Sequence, residues 1–269
     1  MTGNMTKQLF STCALILTLA GFPLSQANAS LSIGAAIDKA GEQRMLSQRI
    51  VKDYFMLASD INPAEAQNQL DDSISRFEKN LDDLLSFAPN EEIKKALIKA
   101  QGVWIQFRLA ALSRPNRESA ANFLQDGEAL LKLSQNVVDR ITEFAGVEGA
   151  RIVDISGRQR MLSQRIAKYY MAYYFGLRKP QIVESFNKSM QEYESALRQL
   201  QEYKGNTRDI REKLKKVNTQ AVFAKIGIRG SPGREDLIPF IISITTESML
   251  VKMDEITGLY AKLLNVQMK

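Results

Sequence analysis

The sequence predicts an all-α protein: two tandem antiparallel four-helix bundles behind an N-terminal signal peptide. Three observations carry that expectation. The stretch Gly41–Ile50 (Gly-Glu-Gln-Arg-Met-Leu-Ser-Gln-Arg-Ile) recurs 116 residues later as Gly157–Ile166, with nine of ten positions identical. Apolar residues recur at helical spacing through long windows, with proline confined to the breaks between them. Those breaks also repeat: Pro180 answers Pro63, Asn206 answers Asn90 and Pro232 answers Pro115, at offsets of 116 or 117. Strand signals are nearly lacking, and short loops between long helices favour antiparallel bundles.

The first 29 residues are set apart from the fold. Lys7 precedes the apolar run Leu9–Leu19, and Ala27-Asn28-Ala29 has the small-x-small pattern of a cleavage site. Cleavage between Ala29 and Ser30 makes the protein exported and periplasmic; left uncut, the segment would instead anchor it in the inner membrane. Cys13 lies inside this segment, so the mature chain has no cysteine to oxidise. The bundles then occupy residues 30–146 and 147–269.

The elements follow in order. A first helix over about Leu31–Ser59 stops before Asn62-Pro63, where Asn62 is placed to cap, Pro63 to start and Glu65 to complete a capping box. A second runs to about Phe87 through Leu70, Ile74, Phe77, Leu81 and Leu84. Asn90 with Glu91 and Glu92 opens a third, whose inner stripe is Ile93, Leu97, Ala100, Trp104, Phe107 and Ala111. After Arg114-Pro115-Asn116 a fourth covers about Glu118–Phe144. The second half repeats the plan, Phe223 answering Phe107 and Asp254-Glu-Ile256 answering Asp139-Arg-Ile141. Ala145–Gly149 is read as a turn, since each glycine costs a helix about 1 kcal/mol. A turn sets both motif helices side by side and parallel; a continuous rod would separate them.

The chemistry gathers on the repeated motif. In a heptad seam running Ile33, Ile37, Ala40, Arg44, Ser47, Val51 and Tyr54, Arg44 falls where an apolar residue is expected, and Arg160 falls in the same slot of the second copy. A buried guanidinium needs an anionic partner. Gly41, Arg44 and Gln48 share one helix face, as do Gly157, Arg160 and Gln164. Glycine allows close approach, arginine offers paired planar donors, and Met45 and Met161 could form adaptable apolar walls. These eight residues are the candidate ligand site, with Arg49 and Arg165 as secondary candidates that read more readily as structural ion pairs. The clustered Tyr169, Tyr170, Tyr173 and Tyr174 are read as packing residues.

Other functions are poorly served. The chain has no histidine, no phosphate loop and no carboxylate cluster at metal-ligand spacing, so no enzyme activity, cofactor or metal is expected. Its charge of +6 is mild and, read along the sequence, spread out, which suits a small inorganic anion rather than nucleic acid.

The pattern Gly-x-x-Arg-Met-x-Ser-x-Arg resembles the P-box of nitrate- and nitrite-sensing histidine kinases of the NarX/NarQ type. The fuller motif more closely resembles the N-terminal domain of PilJ-type pilus chemotaxis transducers. That resemblance implies a periplasmic four-helix sensor bundle. It also implies an anion held between two P-box helices by the motif glycines, here Gly41 and Gly157, and the first motif arginines, here Arg44 and Arg160. The Gln-Arg-Met-Leu-Ser-Gln wording departs from the nitrate box, and no output module follows the second repeat. A separate membrane-bound transducer is therefore the expected partner, with a homodimer as a further possibility. The first copy carries Glu42 where the second has Arg158, so the second copy is expected to bind anions better. The competing expectation is a non-catalytic scaffold whose arginines meet acidic side chains such as Asp139 or Asp254.

Overall fold

The computed structural model describes residues 31–228 and 237–268, with side chains throughout except at 222–228, 237, 238 and 267. Residues 1–30, where a signal peptide is expected, Pro232 and the Phe223 side chain lie outside the described residues. Every regular element among those described is a helix: α1 (Ile33–Ala58), α2 (Pro63–Phe87), α3 (Glu91–Ala111), α4 (Arg117–Ala145), α5 (Glu148–Phe175), α6 (Pro180–Glu202), α7 (Arg208–Ile228) and α8 (Leu237–Gln267).

The helix ends follow local chemistry. Asn90 and Asn116 accept from the backbone N–H groups of Ile93 and Ser119, each at 2.9 Å, satisfying donors that the first turn leaves unpaired. Two expected caps differ. Asn62 adopts a left-handed conformation (φ 44°) and makes no side-chain cap, so Pro63 alone sets the start of α2. At the start of α7 the capping acceptor is Thr207, which bonds Ile210 N at 3.3 Å. Asn206 is turned inward, donating to Leu200 O and accepting from the Tyr260 hydroxyl.

Side-chain pairs give the directions. Lys39 meets Asp83 and Arg49 meets Asp72, so α1 and α2 are antiparallel. Phe107 stacks on Phe123 while Arg140 reaches Glu92, so α3 and α4 are too. In the second half, Gln159 meets Tyr193 and Tyr170 meets Phe186, so α5 and α6 are antiparallel, and Lys213–Glu255 with Gln220–Ser248 makes α7 and α8 so as well. Glycine ends α4: Gly146 sits at φ 64°, a region open to it at little cost, and its N–H closes on Thr142 O. The chain therefore turns, and α5 runs parallel to α1 in the most extensive helix–helix contact of the molecule. Helix α1 is consequently buried on nearly every side from Ala40 to Met56, charged residues included.

One internal alignment is corrected. Buried positions of α4 (Ala120, Phe123, Leu124, Gly127, Leu130, Leu131, Ser134, Val137, Val138, Ile141) recur in α8 at an offset of 119, down to Ile256, Thr257 and Tyr260. The Asp139–Asp254 match uses 115. The slip is four residues, about one helical turn, and leaves apolar periodicity almost unchanged. The residue matching Asp254 is Gln135.

Candidate functional site

Helices α1 and α5 cross at the motif glycines. A methyl group placed on Gly41 would stand 3.9 Å from the Cα of Gly157, 3.2 Å from Arg44 Nη2 and 3.4 Å from Arg160 Nη2; one on Gly157 meets the same groups. Both guanidinium groups therefore reach a common point, within one chain, and lie over the backbone left open by the glycines. Arginine side chains lean toward the helix N-terminus, so each reaches an aspartate more than a turn back on the opposite helix. Arg44 Nη1 pairs with Asp154 at 2.7 Å, and Arg160 Nη2 pairs with Asp38 at 2.7 Å. The same guanidinium groups donate to the backbone carbonyls of Asp154 (3.3 Å) and Asp38 (3.0 Å). This exchange is two-fold symmetric, because Asp38 and Asp154 are themselves 116 residues apart.

The symmetry fails at the fourth helix of each half. Arg160 Nη1 finds a second carboxylate, Asp254, at 2.5 Å; Arg44 Nη1 finds only the amide oxygen of Gln135, at 2.7 Å. Asp139, expected as a direct partner, instead accepts from the Gln135 amide at 2.6 Å. Burial alone would lower both arginines' pKa. Two aspartates outweigh it at Arg160, which is held above its ordinary value, whereas Asp154 does not offset it at Arg44, which is depressed. Each Nε is buried without a hydrogen-bond partner among the described residues.

The other predicted site residues are packed around this seam rather than aimed into it. Met45 and Met161 belong to the hydrophobic core. Gln48 and Gln164 donate to the carbonyls of Gly127 and Thr246 on the fourth helices. Arg49 pairs with Glu247 and Asp72, and Arg165 with Glu128, so both are structural pairs reaching across to the other half. Glu42 turns away to Arg76 and Asn80, and Arg158 pairs with Glu192, although its charge still adds to the repulsion that lowers the Arg44 pKa.

Sequence reasoning missed a second charged layer about two turns further on. Lys168, fully buried, pairs with Glu128 and donates to Gln48 at 2.5 Å; Lys52, also buried, donates to Gln69 at 2.7 Å and lies 3.1 Å from Asp53. The signal was available, since Lys52 and Lys168 are again 116 apart. Beside Glu128 and Tyr169 a groove of about 710 Å³ opens between α4 and α6, walled by Leu124, Leu177 and Ile182. Of the tyrosines, Tyr169 and Tyr170 pack inward, while Tyr173 and Tyr174 are exposed at the end of α5.

Eight helices packed around the parallel pair α1 and α5, with every regular element among the described residues helical, define the class: an all-α helical-bundle protein. The chain belongs to the PilJ family, described as the N-terminal region of type IV pili methyl-accepting chemotaxis transducers, which matches residues 26–135 and 147–227. No curated protein and no solved structure matches it. Among the described residues, no helix is long and apolar enough to cross a membrane.

Proposed function

We propose that this chain is a periplasmic sensor for a small oxyanion, nitrate or nitrite first, which passes its signal to a separate membrane-bound transducer. The supporting observation is the meeting of Arg44 and Arg160 over the crossing glycines of a duplicated motif. Asp38 and Asp154 occupy the places a flat anion would take, so the ligand acts by displacement. Their side chains are 30% and 21% exposed, enough to swing outward without unpacking the helices. Arg44 is the preferred seat, because Gln135 gives it no second carboxylate; this reverses the sequence expectation that favoured the second copy. Exchanging a tethered carboxylate for a free ion loosens the link between α1 and α5, and a ligand moves the seam only by its unequal affinity for the two arrangements.

A second reading is favoured by the same ion pairs: the arginines are already neutralised by the chain's own aspartates, as buried arginines commonly are. The seam is then a core element of an interaction scaffold that docks a transducer or pilus component elsewhere. Thermal unfolding in nitrate, nitrite, sulfate and chloride at one ionic strength separates the two. Under the sensor reading, one oxyanion stabilises the fold by about 2.7 kcal/mol at a hundred times Kd. Asp38→Asn/Asp154→Asn lowers the Kd by removing the competitor. Shifts that are equal for all four anions, or that persist in Arg44→Gln/Arg160→Gln, leave the scaffold reading.

A further inference from the structure

The charge of the chain is not spread as its mild total suggests. The 36 basic and 30 acidic residues differ by six. Residues 93–117 contain six basic side chains (Lys94, Lys95, Lys99, Arg108, Arg114, Arg117) and no acidic one, so the rest of the chain is neutral. All six are exposed. Four of them, Lys94, Lys95, Lys99 and Arg108 (the last paired with Glu78 at 3.1 Å), share α3 with an apolar stripe in which Ile98, Ile105, Leu109 and Leu112 are 51–59% exposed. The spacing of seven, four and three keeps them on one helix face. Gly102 lies in the same stripe, where an added methyl would meet nothing within 4 Å. The opposite face of α3 is already used, since Trp104 stacks on Phe77 and Phe107 on Phe123. Among the described residues α3 touches only α1, α2 and α4, which leaves the stripe at a corner of the molecule, away from the second half.

We propose that this face of α3 docks onto an anionic lipid surface. Aliphatic side chains flanked on their own helix by the exposed Lys94, Lys95 and Lys99, with Arg108 paired to Glu78 on the α2 side, match a plane of negative headgroups over hydrocarbon. A protein partner fits less well. Protein interfaces are enriched in Tyr and Trp and depleted in Lys, and their energetic centres are poor in Leu; the aromatics of α3 are turned into the core while its lysines and aliphatics face out. Four aliphatic side chains would enter the acyl boundary, and the lysines would lie at headgroup level. The arrangement gives a peripheral, salt-sensitive contact, distinct from any insertion of residues 1–29.

The test is co-sedimentation of the full chain with vesicles of phosphatidylcholine alone and of phosphatidylcholine with phosphatidylglycerol. Binding is expected on the anionic vesicles, to weaken by roughly ten-fold or more in Lys94→Glu/Lys95→Glu/Lys99→Glu, and to weaken similarly in Ile105→Ser/Leu109→Ser. Both variants change exposed positions, and an unchanged circular dichroism melt verifies that they fold. Absence of binding to anionic vesicles overturns the proposal, as does binding that neither variant reduces, which would assign retention to another segment. A dimer in solution that the Ile105→Ser/Leu109→Ser variant dissociates also overturns it and gives the stripe to a second copy of the chain.

Discussion

Asp53 lies in α1, fully buried, with Lys52 Nζ 3.1 Å away and Glu247 and Arg49 completing the cluster. Burial pushes its carboxyl up from an ordinary 3.8 to about 7, with Lys52 and Arg49 pulling back and Glu247 adding to the rise. The fold therefore prefers the neutral acid, whereas the unfolded chain ionises it near pH 4. The stability tied to Asp53 is present in full below pH 4 and is lost as pH rises toward 7. A shift of this size corresponds to about 4 kcal/mol, of which about 2.5 kcal/mol falls between pH 5 and pH 8. Asp53→Asn cannot ionise and so escapes that loss. At about 2–4 °C per kcal/mol for a unit of this size, the variant should gain about 5–10 °C in Tm on wild type between pH 5 and pH 8. Circular dichroism melts of both proteins at the two pH values measure this. A Tm difference that stays constant across that range would show that Asp53 does not titrate there, and the burial argument would fail.

Lys168 should show the opposite sign. Burial lowers its pKa from 10.5 to about 8 against the pull of Glu128, so its favourable contribution is present above pH 10.5 and is lost as pH falls through 8. The stability deficit of Lys168→Met should therefore grow by about 2 kcal/mol between pH 7 and pH 9.5 in denaturant titrations. Gly41→Val should cost about 3 kcal/mol, because its branches enter the space held by both guanidinium groups and break the Arg44–Asp154 and Arg160–Asp38 pairs. Gly102→Ala, in open space on an exposed helix interior, should instead gain up to about 1 kcal/mol; urea unfolding of the two variants tests the contrast.

Much of the fold was legible because its signals are local. Asn90 caps where it should, Pro63 and Pro180 open their helices, and Gly146 turns the chain. What escaped was non-local. Gln43, Lys52, Asp53 and Gln159 look like surface residues, yet they are buried because a helix central to two bundles has no surface to offer. Gln43 and Gln159 donate to Phe77 O and Tyr193 O and Lys52 donates to Gln69, whereas the Asp53 carboxyl has the neighbouring Lys52 beside it and no hydrogen-bond partner among the described residues. At the seam, the misfit of Arg44 and Arg160 was readable from heptad spacing, and so was their need for anions. Which anions was not readable, because Asp38 and Asp154 lie off the seam stripe and reach the arginines only across a parallel pairing. The register of α8 was misread for a related reason: helical periodicity cannot distinguish alignments that differ by one turn.

The turn at Gly146 has a consequence of its own. A true homodimer must carry every mutation twice, once on each side of its axis, and it falls apart on dilution. Joining the two halves by a few residues removes both constraints: the pairing is unimolecular at any concentration, and each half is free to drift alone. Gln135 stands where the other half has Asp254, and Asp53 where it has Tyr169, differences that a strict two-fold dimer could not carry. Selection can shape one half for reception while the other is kept as framework.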